Sequence, residues 1–400
     1  MVKQMITVKQ AKDLLIKNIN LLEPISKNLL EAVGYVMEED IFSPIDLPPF
    51  TCSAMDGYAI RSSDVRGKLP IKLKIKGEIK AGDFKNITVG EGYAFKIFTG
   101  APIPFGTDYV VMQEYTQQED DFVLIKKNFS KYENIRWKGE EIRKGQKVLS
   151  RGTVLNPVVI GFLAIMGIDK VKVIRKPNAY LIVTGSELVI PGTPLKLGKV
   201  YDSNSFSIYS ALKDMGIERI SMVRRGDDFR AIHKAFEKAI AGSDVIIFSG
   251  GVSVGKYDFV RELFEKVGVE TIFYKVEQKP GKPIYFGRYK GKIIFGLPGN
   301  PVSSLVCFYG YVYPAIRKMM GLYPIFLEEK TLSLLKEIRN KGGKVNFLRG
   351  MFYSDTVMPL KYQSSHMLSS FAKSNCLIVV PRNRKLLKKG EKVKVQILPM

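Results

Sequence analysis

Histidine, cysteine and tryptophan are scarce in this sequence: 400 residues contain two, three and one of them. The histidines, His233 and His366, and the cysteines, Cys52, Cys307 and Cys376, lie far apart, with no C-x-x-C pair. That spacing argues against a soft-metal centre of thiolates and imidazoles, leaving oxygen ligands for any metal the protein binds. So few cysteines, odd in number, make no disulfide framework, and the thiols are expected to be reduced and packed, as in a cytoplasmic protein. Long apolar runs are missing too. The longest, at residues 158–166, falls far short of the ~20 residues a membrane-spanning helix needs, and the N-terminus has no apolar core of secretory type. No membrane partner is expected.

Acid is in short supply as well: 39 acidic residues stand against 62 basic ones, a formal net charge of +23. Such an excess gathers anions around a protein. The lysines are spread along the whole chain and are not interleaved with aromatics in a stripe, which argues against nucleic acid as the natural ligand.

Length and a 46% hydrophobic content point to several domains. Apolar residues at helical spacing predict a helix over 8–22, stopped by Pro24, and a second over 157–166, opened by Pro157 and closed by Gly167. Between them, residues 45–149 are rich in Gly, Pro, Tyr and Val and alternate in short runs such as 71–79, so a β-rich domain interrupts a helical one. From 176 onward strands (179–183, 220–223, 244–248) alternate with helices (205–215, 229–241, 257–267), which predicts a parallel sheet covered on both faces. After 320 the pattern turns to short β runs such as 376–380 and 393–397, a separate small β domain.

The densest chemistry lies in the α/β region. The strand at 244–248 runs into Ser249-Gly250-Gly251-Val252-Ser253-Val254-Gly255, whose glycines let backbone N–H groups approach an anion; such turns also serve chain reversal alone. Lys279-Pro280-Gly281-Lys282-Pro283 frames two ammonium groups with residues that restrict the chain, an arrangement suited to an oxyanion. Gly296-Leu297-Pro298-Gly299-Asn300-Pro301-Val302-Ser303 ends another strand and begins a helix, either as a well-formed turn or as an anion site at the strand ends. Asp258 and Glu187, each close to a strand end, have the oxygen donors that Mg²⁺ takes, while Asp228 reads equally well as a functional acid or a helix N-cap.

Together with Leu47-Pro48-Pro49-Phe50, Ser53-Ala54-Met55-Asp56-Gly57-Tyr58-Ala59, Thr99-Gly100-Ala101-Pro102-Ile103-Pro104, Asp108, Glu114, Arg136 and Gly139-Glu140-Glu141-Ile142, these motifs resemble the molybdopterin molybdotransferase family, which includes MoeA and the E domain of gephyrin. The resemblance spans nearly the whole chain. It implies a multidomain α/β plus β fold: a discontinuous linker domain (1–45 and 147–175), a β-rich inserted domain (46–146), a doubly wound α/β domain similar to MogA (176–322) and a C-terminal β-barrel-like domain (323–400). It also implies a homodimer whose site lies between the α/β and C-terminal domains of one subunit and the insertion of the other.

The family's reaction inserts molybdate or tungstate into adenylylated molybdopterin and releases AMP, with Mg²⁺ assisting and no covalent nucleophile. A transient contact with a MogA- or MoaB-type adenylyltransferase is implied as well. By resemblance Asp56, Glu141, Glu187, Asp258, Lys279 and Lys282 are the catalytic set, with Glu187 and Asp258 holding the metal. Thr99, Asp228, Gly250, Gly251, Ser253, Gly255, Pro298, Asn300, Pro301, Ser303 and Arg349 are the substrate-binding set. Three positions depart from the family pattern: Ser186 and Glu141 stand where aspartate is frequent, and Ser364-Ser365-His366 replaces a Gly-Ser-His run. Two other roles compatible with these motifs are a peptide-binding scaffold, as in gephyrin, and the adenylylation step itself; molybdate and tungstate, alike in charge and shape, are not distinguished.

Overall fold

The alternating pattern beyond residue 176 produces a six-stranded sheet in the order Ile220–Arg225, Ala179–Thr184, Val245–Ser249, Lys292–Leu297, Tyr285–Tyr289, Glu270–Tyr274. The computed structural model describes residues 5–67, 69–83, 86–127, 130–251 and 259–399. Two compact units make up the chain: Asn28–Val33 with Glu39–Val171, and the remainder, which includes everything from Lys172 onward.

In this sheet successive side chains serve opposite faces. Leu181 and Val183 join one buried cluster with Ile208, Leu212 and Phe295, whereas Tyr180 and Ile182 join another with Phe236, Phe248 and Phe264. Helices therefore cover both sides, as the sequence predicts. The first four strands are parallel, but the fifth, Tyr285–Tyr289, runs against them and pairs antiparallel on both sides. The cause is local: only Lys290 and Gly291 separate Tyr285–Tyr289 from Lys292–Leu297, and their φ values of 48° and 75° suit a type I′ hairpin turn, far too short for a parallel crossover. Tyr285 consequently lies opposite Gly296, and the segment leading into it, residues 279–283, emerges at the edge where the parallel strands finish.

The N-terminal helix is shorter than its apolar spacing predicts, Val8–Lys17, and buries Ala11 and Leu15. Thr7 and Gln10 form a capping box at its start. At its end Asn18 Nδ2 donates to the Leu14 carbonyl across 2.8 Å, so a polar side chain ends the helix well before Pro24 is reached. A second helical stretch begins at Pro301, passes through a π turn at Phe308–Val312 and resumes as Tyr313–Met319.

The C-terminal strands Val345–Tyr353, Thr356–Pro359, Glu329–Leu334, Lys392–Ile397 and Cys376–Val380 pair in that order, and the last returns to the first, closing a five-stranded barrel around Leu332, Val357, Ile378, Val380 and Val395. Leu377, of opposite pleat, instead packs outside the barrel with Val302, Leu305 and Val306 of the helix starting at Pro301. That helix joins barrel and sheet through apolar contact. Gln278–Lys279 adds a further short strand, parallel to the start of Val345–Tyr353.

The other unit holds a sheet in the order Tyr109–Met112, Gly57–Ile60, Tyr93–Ile97, Ile71–Ile79, Phe122–Ile125, Thr116–Glu119. Tyr58 and Ile60 enter one core and Ala59 another, so both of its faces are covered. The same unit contains the helix Pro157–Ile165, which packs on the short turn Leu29–Glu31 and carries exposed apolar side chains, Val158 at 81% and Ile165 at 62%, near Leu30 at 87%. No described helix is long and apolar enough to cross a membrane.

Candidate active site

The carboxyl edge of the parallel sheet is built around glycines that nothing larger replaces. Gly250 and Gly251 have φ of 92° and 65°, and an added Cβ would lie 2.5 Å from the Thr184 carbonyl oxygen at the first and 2.7 Å from Val260 Cγ2 at the second. Here a side chain is excluded both by conformation and by space. Asn204 Nδ2 ties the edge together, donating to Ser249 Oγ (3.1 Å) and to the Gly299 carbonyl (2.8 Å). Two buried oxygens beside these turns, Thr184 Oγ1 and Asn204 Oδ1, have no hydrogen-bond partner among the described residues.

Around it stand the acids. Glu187 is exposed beyond the strand Ala179–Thr184. Asp228 Oδ1 accepts from the Ala231 N–H at 2.6 Å and caps the helix Phe229–Gly242, the capping arrangement the sequence left open beside a functional one. Asp202, fully buried, was not visible as a candidate in the sequence; it receives Arg224 Nε at 2.6 Å and the Ser205 N–H at 3.0 Å. The run Asp202-Ser203-Asn204 ahead of an apolar helix is a capping signal that would have pointed to it. No group of three or more His, Cys, Asp or Glu arranged to hold a metal ion exists among the described residues. Ser253, Gly255 and Asp258 lie outside them.

The lysine loop forms one wall of a cleft of about 1090 Å³ between the sheet edge and the barrel. Gly281 (φ 85°) is required: a Cβ there would approach Cys307 Sγ to 2.4 Å. Its flanking lysines, Lys279 and Lys282, are exposed and face the cleft together with Ser303. Seven Lys and Arg side chains line this space against a single carboxylate, Glu337, which is itself paired with Arg339 at 2.9 Å. Cations crowded along a concave wall favour a multiply charged anion. Pro298, Asn300 and Pro301 are not in the lining; they begin the helix that carries Ser303, and the Val302 N–H in its first turn is met by the Ser365 carbonyl at 3.1 Å.

Arg349 does not reach the cleft surface. It is fully buried in the barrel wall, with Nε donating to Ser370 Oγ (3.1 Å) and Nη2 to the carbonyls of Tyr362 (2.8 Å) and Ser364 (3.1 Å), while Nη1 has no partner among the described residues. Burial pushes its guanidinium down to about 10. Its role is to hold from beneath the loop whose residues Gln363, Ser364, Ser365 and His366 line the cleft.

Within the other unit, two residues singled out in the sequence meet directly. Asp56 Oδ1 accepts from both the N–H and the Oγ1 of Thr99, each at 2.7 Å. These bonds, backbone first and then hydroxyl, hold the Asp56 carboxyl below the usual range. Gly57 is fixed by close packing, because a Cβ would lie 1.8 Å from the Val111 carbonyl oxygen. Glu141 is exposed, its N–H bonded to the Leu47 carbonyl at 3.0 Å.

Comparison with known proteins matches three stretches of the chain. The pattern of the MoeA N-terminal region (domains I and II) matches residues 6–167, that of a probable molybdopterin binding domain matches 180–318, and that of the MoeA C-terminal region (domain IV) matches 331–398. The molybdopterin molybdenumtransferase of Haemophilus influenzae is 40% identical over 380 residues, 92% of either chain. That of Staphylococcus aureus is 34% identical over 98% of this chain and 95% of its own. Two crystal structures of the molybdopterin biosynthesis MoeA protein from Pyrococcus horikoshii superpose with TM-scores of 0.86 and 0.80 at 30% identity, covering 99% of this chain and all of theirs.

Proposed function

As a member of the MoeA family of molybdopterin molybdenumtransferases, the chain is one for which we propose the insertion of molybdate or tungstate into adenylylated molybdopterin, with release of AMP, in molybdenum or tungsten cofactor biosynthesis. The observation that carries this is the cationic cleft: seven Lys and Arg side chains face one carboxylate around the 279–283 loop. A tetrahedral oxyanion needs such charge in a fixed place, because cations that are already oriented spend little reorganisation energy when the anion binds. Lys279 and Lys282 supply the charge, Ser303 a hydroxyl, and Arg349 the support of the opposite loop.

The glycine turns, with the Thr184 and Asn204 side chains beside them, suit the phosphate-bearing part of the substrate. Mg²⁺, held by Glu187 together with Asp258, would neutralise charge on the adenylyl phosphoanhydride; the Glu187 carboxylate is exposed and offers the oxygen donors such a cation takes. Asp56, Thr99 and Glu141 belong to the same reading as the contribution of a second subunit. The homodimer it requires is in keeping with the exposed aliphatic side chains Val158, Ile165 and Leu30 on and beside the helix Pro157–Ile165. The reaction would run in the cytoplasm, with a MogA- or MoaB-type adenylyltransferase handing over the labile substrate.

The test is incubation with adenylylated molybdopterin and each oxyanion in turn, following AMP release and metal content together. Native protein should do both, and Lys279→Ala and Lys282→Ala should lose both while remaining folded. Metal insertion at the native rate in both variants removes the lysine assignment.

A further inference from the structure

The loop that carries Lys279 and Lys282 is exposed on one side only. Behind it lies a buried polar group that neither the reaction nor the family motifs use: Gln278 at 1% exposure, Tyr311 at 1% and Cys307 at 0%. The Tyr311 hydroxyl donates to Gln278 Oε1. Gln278 Nε2 in turn donates to the Pro280 carbonyl at 3.1 Å, and Cys307 Sγ lies 3.4 Å from the Gly281 carbonyl oxygen, in donor orientation. The carbonyls of Pro280 and Gly281, the two residues between the lysines, are thus held from beneath.

The helix is locally remade to allow this. Cys307 ends its α-helical first part and Tyr311 lies in the π turn Phe308–Val312. A π turn inserts one residue and weakens the regular hydrogen-bond ladder, so it persists where something is gained from the altered direction of its side chains. What this one presents toward the loop is the Tyr311 hydroxyl, while the ring keeps an edge contact with Phe273.

We propose that Tyr311, acting through Gln278, is a positioning residue for oxyanion binding: it sets the 279–282 loop so that both ammonium groups face one bound tetrahedral dianion. The proposal rests on the lysine pair being the oxyanion site, as read above. Tyr311 touches no substrate. Without its hydroxyl, Gln278 Oε1 has lost its partner in a dry site, the amide is free to turn away from the Pro280 carbonyl, and the loop relaxes.

Calorimetric titration with tungstate, run on native protein, Tyr311→Phe, the Lys279→Ala/Lys282→Ala double variant and the triple variant, tests this. Tyr311→Phe should raise the tungstate Kd about tenfold, the worth of one buried hydrogen bond, and should raise KM for the oxyanion without changing KM for the pterin substrate. In the background lacking both lysines, the same substitution should change nothing, since there is no longer a pair to position. Gln278→Glu, which retains an acceptor for Tyr311 but not the donor to Pro280, provides a second variant should Tyr311→Phe fold poorly; it should weaken tungstate in the same way. If the lysine variants lose tungstate while Tyr311→Phe and Gln278→Glu bind it like native protein, the inference is overturned and the lysine reading stands. If both substitutions weaken binding equally with and without the lysines, the role is general stability and the inference also fails. If native protein and the lysine double variant do not differ, the site reading itself falls and the inference goes with it.

Discussion

Arg349 Nη2 donates to the Tyr362 carbonyl across 2.8 Å, from a site where no carboxylate among the described residues pairs with it. Fully buried arginines normally pair with an acid, because an isolated cation is costly to desolvate. Here the guanidinium is held by hydroxyl and carbonyl groups only, and its planar fork serves Ser370, Tyr362 and Ser364 at once. Arg349→Lys keeps the charge but not the fork. It should weaken tungstate binding at least about tenfold while circular dichroism shows the fold retained; native affinity would mean that the 362–366 loop needs no anchor.

Thr99 gives Asp56 two hydrogen bonds. Thr99→Val removes the hydroxyl and leaves the backbone donor, so the Asp56 carboxyl should move back up toward the ordinary carboxylate range. A carboxyl-carbon NMR titration should show that rise, and the acid limb of the activity profile should shift to higher pH with it. An unmoved titration would show that the hydroxyl bond is not made in solution.

Stability has its own reporter in the sheet unit. Asp244 takes Arg175 Nη1 and Nη2 at 2.7 and 2.9 Å and the Asn178 N–H at 2.8 Å. Burial raises its carboxyl, but the Arg175 bonds and the backbone donor outweigh this, and the net shift is downward. The resulting stabilisation is complete above the unfolded value of about 3.9 and is lost as pH falls through the lower folded one. Asp244→Asn should cost on the order of 2–4 kcal/mol in denaturant unfolding at neutral pH, somewhat less than a wholly dry pair, and the difference from native protein should shrink at strongly acidic pH. A pH-independent difference would assign the cost to packing.

All three cysteines are buried and free. Burial pushes each thiol up, Cys376 to about 12. A chromogenic disulfide reagent at mildly alkaline pH should therefore label none of them in the native protein and three in denaturant. Fast labelling of Cys307 in native protein would reveal opening of the lysine loop above it.

Much of this fold can be read from spacing alone. The strands Ala179–Thr184 and Val245–Ser249 and the helix Phe229–Gly242 agree with their hydrophobic periods to within a residue or two, because both faces of the sheet must be covered and the pattern has little freedom. The antiparallel edge was not foreseen, since two ordinary-looking residues, Lys290 and Gly291, decide the strand direction through their φ angles. At the site, glycine, proline and lysine motifs identified the loop at 279–283 because their types restrict the chain. The supports escaped notice: Gln278 and Tyr311 act through a contact 33 residues apart in sequence, and Asp202 reads only as a cap although it also receives Arg224.

Gln278 and Lys279 are hydrogen-bonded as a strand beside Val345 and Asn346 while remaining covalently part of the sheet region. This seam acts as a rivet. If the barrel swings on substrate arrival, the backbone of Gln278 and Lys279 is tied to it, so a hinge would have to lie elsewhere along the connection, and the loop proposed to hold the oxyanion would move with the barrel strand it adjoins.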